Sequence, residues 1–124
     1  MNKTDLAGQF YYERNMMMEF KQLKAEVKKA EIDSIRTETE DYFETVIKNS
    51  CLKSLTQILE KSFGPPVWPS RNKLSIEAEK IVKNFGSLRK GQTLYFSTHE
   101  GSTVFAMLWP WQDNEKVTIK MGKA

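Results

Sequence analysis

Histidine, cysteine and clustered carboxylates are the residues with which this chain could do chemistry, and their spacing offers little. His99 is the only histidine and is followed by Glu100. An imidazole beside a carboxylate can move a proton. A His-Glu pair without a second histidine one helical turn away lacks the two imidazoles of a zinc protease. In a turn, such a pair is most simply a solvated polar pair. Cys51 is the only cysteine, so no intrachain disulfide can form. It falls on or near the apolar face of an expected helix and reads as a structural thiol. Glu38, Glu40, Asp41 and Glu44 gather where that helix would start. The helix dipole favours negative charge there, so they read as structure rather than as metal ligands. Gly86 and Gly91 flank Ser-Leu-Arg-Lys without the Lys-Ser/Thr ending of a phosphate loop. The sequence therefore points to no catalytic residue, no metal site and no cofactor.

The aromatic residues are more informative. Thr103–Asn114 reads TVFAMLWPWQDN, a strand entering a turn, yet it is apolar at nearly every position. A strand with one wet face should alternate. If Thr98 pairs with Ser102 and Gln112 with Glu115, then Leu94, Phe96, Val104, Ala106, Leu108, Ile119 and Met121 share one face. Tyr95, Phe105, Met107, Trp109 and Trp111 share the other, with Lys116, Thr118 and Lys120 beside them. A slip of one residue in the first hairpin exchanges Tyr95 for Leu94 and Phe96, because side chains alternate with period two. Either way the middle strand is apolar on both sides. Several large rings left open would exceed the apolar patch usual on a monomer. The row calls for a cover: the first helix, a second subunit, or a ligand. Trp68, within Gly-Pro-Pro-Val-Trp-Pro-Ser, and His99 could join the row around an apolar pocket with a few polar groups. The partner-binding or ligand-binding set expected from sequence is thus Trp68, Tyr95, His99, Phe105, Met107, Trp109 and Trp111.

The elements that must position these residues follow from periodicity. Met16, Phe20, Leu23, Val27 and Ala30 form a narrow helical stripe. Thr37 with Glu40 reads as a capping box opening a second helix, though Ile32 and Ile35 also allow one unbroken helix from the first stripe. From Glu38 to about Ser62 the positions Phe43, Val46, Ile47, Leu52, Leu55, Ile58, Leu59 and Phe63 make a wide apolar face, with Glu44 and Lys48 as an i, i+4 pair. Gly64, Pro65 and Pro66 end it. Ser75 caps a short third helix, with Glu77 and Glu79 in its first turn and Ala78, Ile81, Val82 and Phe85 inward. Three strands follow, roughly Gln92–Thr98, Thr103–Trp109 and Lys116–Met121, joined by His-Glu-Gly-Ser and Gln-Asp-Asn-Glu turns. The expected architecture is α+β in a single domain over residues 1–124. It has a helical part at about 4–63, a proline-rich connector at 64–74, a short helix at 75–86 and a three-stranded antiparallel meander at 91–122.

Charge and composition narrow the function classes. The formal net charge is only +3, too mild to demand nucleic acid or anionic lipid. The bias is local: residues 64–124 carry nine basic and five acidic side chains, residues 1–63 ten and eleven. Rings beside lysines on a sheet face can bind single-stranded nucleic acid, but helices followed by a meander do not match the RNA-recognition module. No run approaches the roughly 20 apolar residues of a membrane span. The N-terminus lacks the apolar stretch of a signal peptide, which with the single thiol fits a cytoplasmic protein. The expected function is a small interaction or regulatory module acting as a homodimer. The alternative is a small-molecule binder using the aromatic face.

Overall fold

The fold, taken from a computed structural model, is described over residues 20–30, 32–69, 73–86, 88–99 and 102–123. Helix α1 is described over 20–28. Strands β1 (Ile32–Glu38) and β2 (Tyr42–Lys48) follow. A short 3-10 turn, Asn49–Cys51, leads into α2 (Leu52–Phe63), and α3 spans Ile76–Phe85. The chain closes with β3 (Thr93–His99), β4 (Ser102–Pro110) and β5 (Lys116–Lys123). All five strands form one antiparallel sheet in the order β1-β2-β5-β4-β3. The fold is α+β, but the expected second long helix and three-stranded meander are wrong. Residues 32–48 are a hairpin that extends the sheet from three strands to five.

The physical reason lies in the residues. Tyr42-Phe43-Glu44-Thr45-Val46-Ile47 is rich in aromatic and β-branched side chains, which suit a pleated surface. Phe43, Thr45 and Ile47 pair across β5 with Met121, Ile119 and Val117 and share one face. Tyr42, Glu44, Val46 and Lys48 take the other. Val46 and Ile47 are both buried although they point to opposite faces, so apolar neighbours mimic a helical face. The capping-box reading of Thr37 also fails. Thr37 lies inside β1, and Thr39 makes the turn instead, its hydroxyl accepting from the Asp41 and Tyr42 amides.

Strand β1 carries two register shifts against β2, between Ile32 and Ser34 and between Ile35 and Thr37. Each places two residues of β1 opposite one of β2, the geometry of a bulge. The side chains facing β2's helix-covered side then recur every third residue, at Ile32, Ile35 and Glu38. That spacing is what made the segment read as helix. The buried Thr45 hydroxyl donates to the Ser34 carbonyl at 2.7 Å, tying the bulged edge strand to the sheet interior. Thr45→Val keeps the shape and removes this bond. It should lower stability by about 1 kcal/mol, read as a shift in the urea midpoint at unchanged m-value.

Helices cover both faces. The α1 stripe is confirmed at Phe20, Leu23 and Val27, which are buried with Leu55 and Leu59 of α2 against Phe43, Tyr95, Ala106, Leu108 and Ile119. Met16 of that stripe lies outside the described residues. On the opposite face, Ala78 and Ile81 of α3 bury Leu94, Phe105 and Met107. Helix α3 begins as the sequence indicated: the Ser75 side chain accepts from the Ala78 amide at 3.1 Å. The proline connector seals the β3 edge, where Val67 and Trp68 exchange backbone hydrogen bonds with Leu94. The Trp68–Pro69 peptide bond is cis.

Candidate functional site

The aromatic row exists, but it is a core. Phe105 and Met107 are 0 % exposed. Phe105 packs on Phe85 at a centroid distance of 4.6 Å and lies across Gly122, where a Cβ would stand 2.9 Å from its ring. Trp68 and Trp109 flank the same cluster, half-buried. The cover for this face is α3 with the connector, not the first helix. The first hairpin takes the slipped register, with Thr98 opposite Thr103 and Tyr95 opposite Ala106. Tyr95 therefore leaves the set: it points to the α2 face, buried against Phe63 at 5.9 Å. Burial and the nearby Glu60 carboxylate push its phenol pKa upward. His99 ends β3, its backbone paired with Ser102. Of the seven expected residues, Trp68, Phe105, Met107 and Trp109 come together. Tyr95 and Trp111 stand apart from them.

Trp111 is the informative one. The second hairpin keeps the expected register, Pro110 opposite Val117 and Trp109 opposite Thr118. Beyond Pro110 the chain returns Trp111 over the sheet, where its indole N–H donates to the Thr118 hydroxyl at 2.8 Å. There it lies on the β1-β2-β5 half of the face, the part that α3 leaves uncovered. The Arg36 guanidinium sits 5.7 Å and the Lys116 ammonium 5.3 Å from its ring centre. Arg36 reaches Glu44 at 3.8 Å, and Lys116 pairs with Asp33 at 3.1 Å. The Tyr42 hydroxyl donates to Glu44 at 2.7 Å while its ring stacks on Phe85. Burial, then the Glu44 carboxylate, pushes the Tyr42 phenol far above its ordinary range, so it stays a donor. Toward α3, the Lys120 ammonium lies 3.6 Å from the Trp109 ring centre and donates to the Phe85 carbonyl at 3.4 Å.

The bulges of β1 build this surface. They turn Asp33 with Ser34, and Arg36 with Thr37, toward the Trp111 side, where a regular strand would send half of them to the helices. Lys48 stands directly opposite Lys116 across β2 and β5. The face thus holds four cations, Arg36, Lys48, Lys116 and Lys120, against two carboxylates, Asp33 and Glu44. Trp111, Thr118, Lys116 and Lys120 were legible as one face in the sequence. Arg36, Tyr42, Glu44 and Lys48 were missed because their strands read as helix. The aromatic and β-branched run of Tyr42–Ile47 was the signal that could have found them.

Two concavities among the described residues lie elsewhere. A groove of about 800 Å³ runs between α1 and α2 past Gln22, Glu26, Ser54 and Lys61, and a smaller one beside it reaches the half-buried Cys51. None of Trp68, Tyr95, Phe105, Met107, Trp109 and Trp111 lines either. Among the described residues no three His, Cys, Asp or Glu side chains gather to hold a metal, and no helix is long and apolar enough to cross a membrane. Comparisons with protein-family models, with curated proteins and with solved structures find no match for the chain, so the site must be read from its own geometry.

Proposed function

We propose that this protein is an interaction module that binds another protein on the half of its sheet that α3 leaves uncovered, around Trp111. The observation that carries this reading is the double bulge of β1, which sends Asp33, Ser34, Arg36 and Thr37 to the side where Arg36 and Lys116 lie over the Trp111 ring. Bulges cost regular pairing and are used where a side chain must be re-aimed. Tryptophan and arginine are the side chains that most often anchor protein interfaces. Trp111 has the conformational restraint such an anchor needs, because its N–H is already fixed on Thr118.

The expectation of a homodimer rested on the two-sided middle strand and the narrow stripe of the first helix. Helix α3 covers one side of that strand and the described part of the stripe packs against the other, which leaves the Trp111 face for a second copy to use. The rings a small ligand would need are likewise packed under α3, which favours a macromolecular partner. A photoreactive benzophenone amino acid in place of the exposed Thr37 tests the reading in the native host, with the exposed Lys53 of α2 as control position. Adducts of discrete size should form from position 37 alone and disappear in Trp111→Ala, with folding checked by circular dichroism. An adduct of twice the chain mass identifies the partner as a second copy. Equal labelling from both positions overturns the reading.

A further inference from the structure

We infer that the Trp111 face recognises a protein segment rich in carboxylates. This rests on the interaction reading above and names its partner class. The placement of Lys48 directly opposite Lys116 is the starting point. Like charges facing each other across strands are destabilising, and the fold derives nothing from this pair. Lys116 has Asp33 as a partner, whereas Lys48 is exposed and has no carboxylate partner among the described residues. Arg36 is half exposed, and Glu44, its partner, also accepts from Tyr42. Lys120 is turned to the Phe85 carbonyl rather than to Glu44, which it faces in register. The two carboxylates are thus engaged within the face, and positive charge is left pointing out of it. A partner that supplies carboxylates beside Trp111 relieves the Lys48–Lys116 repulsion as it binds.

Two other occupants fit less well. Single-stranded nucleic acid needs open ring faces on which bases stack. Here Trp111 has two cations over its ring, and Trp109 has Lys120 over its own. A peptide that adds to the sheet as a strand needs a regular edge. The two bulges of β1 interrupt the edge nearest this face, a device that discourages strand addition. Recognition is therefore by side chains on the face.

The test is a titration of the full chain with a fluorescein-labelled glutamate-rich peptide, followed by anisotropy, beside a lysine-rich peptide and oligothymidylate. The glutamate-rich peptide should bind, the lysine-rich one should not, and binding should weaken as salt is raised. Lys48→Glu should raise Kd about tenfold, or about 1.4 kcal/mol, with the thermal midpoint unchanged or higher because the like-charge pair is gone. Arg36→Gln should weaken binding in the same direction. Failure of the glutamate-rich peptide to bind, or an affinity untouched by Lys48→Glu, overturns the inference. Tighter binding of oligothymidylate with the same Lys48 dependence also overturns it, in favour of nucleic acid. A position-37 cross-link without peptide binding removes this partner class while leaving the interaction reading standing.

Discussion

Gly86→Ala will destabilise the fold by about 2–6 kcal/mol, and most of the steric part will vanish when Trp109 is made smaller. Two costs combine. Gly86 has φ +131, a conformation that a side chain rarely adopts, and strain of this kind costs about 1–3 kcal/mol. A Cβ there would stand 2.5 Å from Cζ2 and 2.6 Å from Cη2 of Trp109. Overpacking of that severity costs about 1–3 kcal/mol more. The close approach exists because α3 must end directly above the aromatic row and let the chain leave across the Trp109 ring. Trp109→Phe removes the clashing benzo-ring atoms. It also removes an indole N–H that is buried without an acceptor among the described residues. In that background Gly86→Ala should cost only the backbone part, about 1–3 kcal/mol. A double-mutant cycle from urea midpoints measures the difference. Additivity within about 0.5 kcal/mol would show that Gly86 and Trp109 do not touch, and the account of how α3 closes the second face would fall.

How much was legible in the sequence follows from the range of each signal. Helix α3 was readable because its instructions are local: Ser75 bonds the amide three residues on, and Gly86 stops the helix within one turn. The β4-β5 register was readable for the same reason, since Gln112–Glu115 alone closes that hairpin and Asn114 takes the positive φ of its turn. The first hairpin offered two registers, and the one expected first, with Gly101 in a three-residue loop and Thr98 opposite Ser102, is not the one formed. Burying Leu94 under α3 and Tyr95 under α2 decided it, and both helices lie outside the hairpin. Residues 32–48 failed because two periods coincided. Bulges stretched the spacing of Ile32, Ile35 and Glu38 to three, and burial on both faces put Val46 beside Ile47. What excludes helix there is pairing with β5, whose residues lie about seventy positions along the chain. No local pattern records such a contact. The candidate site inherits the same split: its β5 and Trp111 half was visible, and its β1 and β2 half was hidden with the hairpin.

Phe105→Ala and Leu108→Ala should each cost several kcal/mol, although the two side chains lie three residues apart on one strand and point to opposite layers. Phe105 is enclosed by Phe85, Gly122 and the inner side of α3. Truncating such a ring costs about 3–5 kcal/mol, the lost transfer energy plus the cavity left behind. Leu108 packs with the residues buried beneath α1 and α2, and is 3 % exposed. Its truncation costs about 2–5 kcal/mol. In a sheet with one wet face, one member of such a pair would be nearly free to replace. Here neither is, because β4 is paired on both edges and covered on both faces. Equilibrium urea unfolding of the two variants measures both costs. Since whole domains are stable by only about 5–15 kcal/mol, either variant should leave a midpoint well below that of the parent. A Phe105→Ala cost under about 1 kcal/mol would mean that α3 does not seal this face, and that the aromatic row is open to solvent or to a partner after all.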